Sequence, residues 1–117
     1  ENKISLLESN NKKCYFLKKA SHELNLKNIK IINKTITTKN ELGKYDIITS
    51  RAFANIEKTI NLTKTNTHEN TKYLLLKGKA SNIKKELKDI DKNMFRYEII
   101  NQDTTKERNI VLLCKDE

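Results

Sequence analysis

At 117 residues the chain has room for one small domain with a modest core and no room for two. Its 24 basic residues outnumber 15 acidic ones, giving a formal charge of +9 and a pI near 9.5. That excess favours a polyanionic partner, because each neutralised phosphate releases condensed counterions. Only three of the basic residues are Arg, however, and a chain rich in Lys, Asn and Ile is also what nucleotide bias in a gene produces. No apolar run approaches the roughly 20 residues that span a bilayer, and no cleavable signal is visible, so the expectation is a soluble, cytoplasmic protein.

Cys14 and Cys114 lie far apart without metal-ligand spacing, which favours two buried reduced thiols over a disulfide or a metal site. His22 and His68 likewise have no Cys, His or carboxylate constellation around them, so solvated or capping roles are expected. No metal is expected.

Lys3 to Leu7 reads as a short strand that stops at Glu8. A carboxylate at the carboxyl end of a strand, just before a helix, suits ribose hydroxyls in nucleotide-type folds, and equally suits an exposed turn. Ser9 or Asn10 can cap the next helix, in which Cys14, Leu17, Ala20 and Leu24 form a stripe with Phe16 as a second core contact. Lys12 and Lys13 sit in its first turn, where the helix dipole disfavours cations. A phosphate partner relieves that conflict, while a solvated face is the plainer alternative.

Ile29 to Ile32 is a second strand, and Lys34 to Leu42 a polar, β-branched loop with at most one helical turn. Tyr45 to Thr49 is a third strand, preceded by Gly43. It hands over, through a loop Thr49 to Asn55, to a weak helix from Ile56 to Lys64 that carries Ile56, Ile60 and Leu62. Ligands of open α/β sheets bind at such handovers. Arg51 and Phe53 stand in this loop, and the planar, always-charged fork of Arg suits a carboxylate, a phosphate or a guanine edge, or else a surface ion pair.

After a polar connection Asn66 to Asn70 come the strand Lys72 to Leu76, closed by Lys77 and Gly78, and a helix Asn82 to Ile90 with Ile83, Leu87 and Ile90 on one stripe. Phe95 to Ile100 and Asn109 to Cys114 are two further strands, read as a hairpin joined by the loop Asn101 to Arg108. The order β-α-β-β-α-β-α-β-β predicts a single α/β domain over residues 1–117, its mostly parallel sheet carrying one antiparallel strand, the one from Asn109.

The blocks LLESNNKKCYFLKKASHELNLKNI, YDIITSRAFANI, LLLKGK and ERNIVLL, in that order and spacing, resemble the small-subunit ribosomal RNA methyltransferase G family, also called glucose-inhibited division protein B. The likeness runs from about Lys3 to Lys115, and the block Ser50 to Ala54 is its most specific piece. It implies a Rossmann-like fold and an S-adenosylmethionine-dependent monomer that methylates N7 of a guanine in 16S ribosomal RNA. Glu8 matches the family's ribose-binding acid, and Ile36 and Thr37 occupy positions where its backbone approaches the adenine. Arg51 matches the loop arginine associated with cofactor binding and activity, and is the candidate catalytic residue. Lys12, Lys13 and Lys77 match lysines that are candidates for RNA phosphates or for positioning the target base.

The family's first strand and glycine-rich cofactor loop have no counterpart in a chain whose only glycines are Gly43 and Gly78, and Thr35 stands where the family has an arginine. The chain begins without Met, and the expectation is a partial methyltransferase domain with its first strand missing. A basic RNA-binding module without catalysis and an inactive remnant are the alternatives. The implied chemistry needs little acid-base equipment, because guanine N7 carries a lone pair and requires no deprotonation; alignment, desolvation and charge placement would supply the rate.

Overall fold

The computed structural model describes residues 3–51, 53–101 and 107–115. Six strands and three α-helices follow one another as β1 (Ile4–Leu7), α1 (Asn11–Glu23), β2 (Ile29–Ile32), β3 (Ile47–Arg51), α2 (Ile56–Leu62), β4 (Lys72–Lys77), α3 (Ala80–Leu87), β5 (Phe95–Asn101) and β6 (Asn109–Lys115). The order is the one the sequence predicts. Contacts divide the chain into two units, residues 1–37 and 38–117.

In the first unit β1 and β2 pair in parallel, Ile4 opposite Ile29 through Leu7 opposite Ile32, with α1 as the crossover. Asn10 is the helix cap: its extended backbone turns the chain and its Oδ1 accepts the Lys13 N–H at 3.0 Å. Cys14 is the buried point of α1, and its Sγ donates to the Glu8 carbonyl at 3.1 Å. Phe16, expected in the core, is 70% exposed, and Leu24 is exposed too. Two residues along a helix is about 200° of rotation, so Phe16 points away from the face that Cys14 buries. Leu24 is the C-cap, past the last helical turn. The loop 33–46 contains no helix; residues 38–39 form a turn and Asp46 a bend.

In the second unit the strand order is β3-β4-β6-β5. β3 and β4 are parallel, β6 is antiparallel to both β4 and β5, and so β6 is the one reversed strand, lying between its neighbours. The pairing of β5 with β6 has the antiparallel register of a hairpin; the connecting residues 102–106 lie outside the described residues. Tyr73 and Leu75 from β4, with Val111 and Leu113 from β6, point to one face and are buried. There they meet Ile56 and Ile60 of α2, Ile83 and Leu87 of α3, and Ile90 and Phe95. Tyr73 and Phe95 meet edge to face, ring centroids 6.4 Å apart.

Several boundaries differ from the sequence reading, each for a local reason. β3 starts at Ile47 instead of Tyr45, because Tyr45 is already engaged: its N–H donates to Asn66 O at 2.9 Å and its carbonyl accepts the Thr71 hydroxyl at 2.6 Å. The same strand runs on to Arg51, since β4 continues to offer a parallel partner as far as Leu76. α3 starts at Ala80 instead of Asn82, because the Lys79 carbonyl accepts both the Asn82 and Ile83 N–H groups. In α2 the inward positions include Thr59, and its C-cap Thr63 is buried too, whereas Leu62 is only half-buried.

Candidate functional site

Parallel strands deliver their carboxyl ends to one edge, and each unit has such an edge. In the first unit Glu8 follows β1 directly, and its N–H donates to Ile32 O at 3.0 Å, so the start of the loop after β2 lies beside it. The Glu8 Oε2 accepts the Asn10 N–H at 3.1 Å, which leaves Oε1 without a hydrogen-bond donor among the described residues. Asn33 Nδ2 donates to Asn11 Oδ1 at 2.7 Å and ties the loop after β2 to the start of α1. Ile36, half-buried, and Thr37, exposed, come next along that loop.

Lys12 and Lys13 are exposed in the first turn of α1, which contains no acidic residue. The conflict with the helix dipole expected from the sequence is therefore present. Together with Glu8, Phe16 and Leu17 they line an open hollow of about 340 Å³. An acid, two ammonium groups and an apolar floor make a surface able to hold a sugar, a phosphate and a base face side by side.

In the second unit Arg51 is the last residue of β3, opposite Leu76, and Lys77 is the next and last residue of β4. Both thus stand on the same sheet edge. Arg51 is exposed and makes no side-chain hydrogen bond or ion pair among the described residues. Phe53, close behind it, is 47% exposed. Ala52, in the middle of the block Ser50 to Ala54, lies outside the described residues.

Lys77 is placed differently. Its side chain is only 13% exposed, and its Nζ lies 3.0 Å from Glu86 Oε1 while donating to the Ala54 carbonyl at 2.5 Å. The same edge is fastened from the other side by buried Asn109, whose Nδ2 donates to Gly78 O at 2.8 Å. Glu86 and Asn109 were not singled out from the sequence; Asn109 belongs to the downstream ERN block, a signal that was available, while Glu86 is one acid in a lysine-rich helix.

Among the described residues the remaining titratable groups do not gather into a catalytic set. Cys14 is buried as expected, Cys114 only half-buried, and both are free thiols. His68, expected to be solvated or capping, has its Nε2 2.7 Å from Asp46 Oδ1, a partner 22 residues back in the chain that folding brings alongside. Its Nδ1 accepts the Asn70 N–H at 3.1 Å, so the proton sits on Nε2 and is donated to Asp46. Among the described residues no group of three His, Cys, Asp or Glu side chains is placed to hold a metal, and no helix is long and apolar enough to cross a membrane.

Residues 1–111 match the family described as GidB, rRNA small subunit methyltransferase G. The chain is 39% identical over 116 residues to the ribosomal RNA small subunit methyltransferase G of Brachyspira hyodysenteriae, covering 97% of this chain and 56% of that protein. It is 36% identical over 115 residues to the Borrelia turicatae protein of the same name, covering 97% and 55%. The chain thus spans about half the length of these relatives. Among solved structures, an rRNA methylase from Streptococcus thermophilus superposes with a TM-score of 0.70 at 9% identity, covering 98% of this chain and 74% of that one. A ribosomal protein L11 methylase from Lactobacillus delbrueckii subsp. bulgaricus gives 0.74 at 12%, covering 99% and 59%. These two likenesses show a shared methyltransferase fold. On the match over residues 1–111, the chain belongs to the rRNA small subunit methyltransferase G family.

Proposed function

We propose that the gene product carrying this chain is a cytoplasmic, monomeric S-adenosylmethionine-dependent methyltransferase that modifies N7 of a guanine in 16S ribosomal RNA, both units belonging to one methyltransferase domain. The observation that carries this reading is the family match, which runs through the Glu8, Arg51 and Lys77 segments alike.

The residues present fit the cofactor. Glu8 keeps one carboxylate oxygen free of protein donors at a strand end, as a ribose diol requires, and the adjoining hollow offers the apolar side chains of Phe16 and Leu17. Ile36 and Thr37 supply backbone on the adenine side, and Arg51 holds charge at the end of β3. When bound, S-adenosylmethionine supplies an activated methyl group. The protein's own part is then orientation and exclusion of water, since N7 needs no base and no Cys or His is in place to act as one.

Lys12 and Lys13 hold RNA phosphates; their exposure and the uncompensated first turn of α1 support that role. For Lys77 the geometry favours support of the edge over a phosphate contact, because Glu86 and the Ala54 carbonyl already engage its ammonium.

The test is transfer of labelled methyl groups from S-adenosylmethionine to protein-free 16S RNA by the full-length protein, with the product cleaved at 7-methylguanine. Label at one guanine supports the reading. Label on another base or on protein, or none, overturns it.

A further inference from the structure

One carboxylate oxygen joins three segments around the Arg51 edge. Glu86 Oε1, near the end of α3, accepts the Ile56 N–H at 3.0 Å and lies 3.0 Å from Lys77 Nζ. The same ammonium donates to the Ala54 carbonyl, so the hydrogen bonds close a ring through Glu86, Ile56, Ala54 and Lys77. This is no loose surface pair: the Lys77 and Glu86 side chains are 13% and 24% exposed, and Ile56 is fully buried. The ring is also economical with unsatisfied groups. Ile56 is the first residue of α2, so its N–H has no intrahelical acceptor, and Asn55 Oδ1 is taken by the Lys58 N–H at 2.8 Å.

Arg51 is fixed at one side of this segment by the ladder to Leu76, one residue before Lys77. Further on, the chain is fixed again at Ala54 and Ile56 by Lys77 and Glu86. Both anchors converge on the carboxyl end of β4, and the arginine stands at the mouth of the span they hold.

We infer that Glu86 is a positioning residue for methyl transfer: through Lys77 and the Ile56 N–H it clamps the segment after β3 and so sets where Arg51 stands. The inference rests on the reading of Arg51 given above. It assigns Glu86 no contact with RNA or cofactor.

Glu86→Ala and Glu86→Gln in the full-length protein test it. Glu86→Ala is expected to lower kcat by about tenfold or more, the scale of a small misplacement of a reacting group. The KM for RNA should stay within about twofold, because no RNA contact is lost. Glu86→Gln keeps an acceptor for Ile56 and for Lys77, and should recover most of kcat. In the same full-length proteins, exchange of the Ile56 amide should quicken by about tenfold or more in Glu86→Ala, as local opening becomes easier. A kcat within twofold of wild type in Glu86→Ala overturns the inference, and so does an equal loss in both variants that tracks a fall in melting temperature. An unchanged Ile56 exchange rate overturns the clamp by itself. A wild-type protein that transfers no methyl group overturns the enzyme reading and Glu86's role in it, and the exchange measurement distinguishes that failure from failure of the clamp.

Discussion

The ammonium of Lys77 and the carboxylate of Glu86, nine residues apart in sequence, meet at 3.0 Å where β4 ends, and both side chains are largely withdrawn from water. Breaking such a pair leaves the remaining partner desolvated and unmatched, so each single substitution should cost more than the pair itself contributes. Lys77→Ala and Glu86→Ala are each expected to lower stability by about 1–3 kcal/mol. The double variant should lose less than the two losses added, with a coupling of about 1 kcal/mol or more in a denaturant-unfolding cycle. Additive losses would mean that the pair is solvent-screened.

Tyr73 brings a hydroxyl into the core. Thr63 Oγ1 donates to Thr59 O at 2.7 Å, which leaves it to accept from the Tyr73 O–H at 2.6 Å. Burial pushes the Tyr73 hydroxyl above its ordinary value of 10.0, while a Thr63 hydroxyl turned to donate to the phenolate acts the other way. A raised folded-state value means that the folded chain holds a proton the unfolded chain releases, so this contribution is complete below pH 10 and is lost as pH rises through the folded value. Tyr73→Phe should cost about 1 kcal/mol at neutral pH. It should also flatten the decline of stability in the alkaline range, as read from unfolding curves.

The two glycines should respond oppositely. Gly43 has a φ of +89°, a conformation that strains a side chain even though nothing lies within 4 Å of a Cβ there, whereas a Cβ on Gly78 would meet only the Glu107 carbonyl at an ordinary 3.6 Å. Gly43→Ala is expected to destabilise by about 1 kcal/mol or more, and Gly78→Ala to stay within about 0.5 kcal/mol of wild type. Thermal melts of the two variants check this.

RNA binding should separate the lysines. Replacing Lys12 and Lys13 by Ala should weaken binding and reduce the slope of log affinity against log salt by up to about two. Lys77→Ala should leave that slope within about half a unit of wild type, because its charge is already matched by Glu86. Filter binding across a salt series measures both. An unchanged slope in the Lys12 and Lys13 variant would make that helix face merely solvated.

Much of the fold was legible because the stripes are strong. Ile83, Leu87 and Ile90 keep helical spacing and all three are buried, and the β-branched and leucine runs at Ile29, Lys72 and Asn109 each became strands. Burial by polar side chains was not legible. Asn66 reads as loop, yet it is buried, its Nδ2 donating at 2.7 Å to both Asn40 Oδ1 and Gly43 O. Thr59 and Thr63 carry no apolar signal, yet their hydroxyls bond to the carbonyls of Asn55 and Thr59, one turn back, and both side chains are buried. At the candidate site, the positions of Glu8 and Arg51 at strand ends followed from the pattern of elements. The partners of Lys77 did not, because an ion pair across elements leaves no spacing to read.

Removal of Arg51 tests the proposed activity most directly. Transfer of labelled methyl to protein-free 16S RNA should be compared between the full-length protein and its Arg51→Ala variant, with circular dichroism melts alongside. Label at a guanine N7 is expected for the wild type, and a rate at least about a hundredfold lower for the variant at a melting temperature within a few degrees, since Arg51 is exposed and its side chain makes no hydrogen bond or ion pair among the described residues. Equal rates for the two proteins would contradict the role assigned to Arg51.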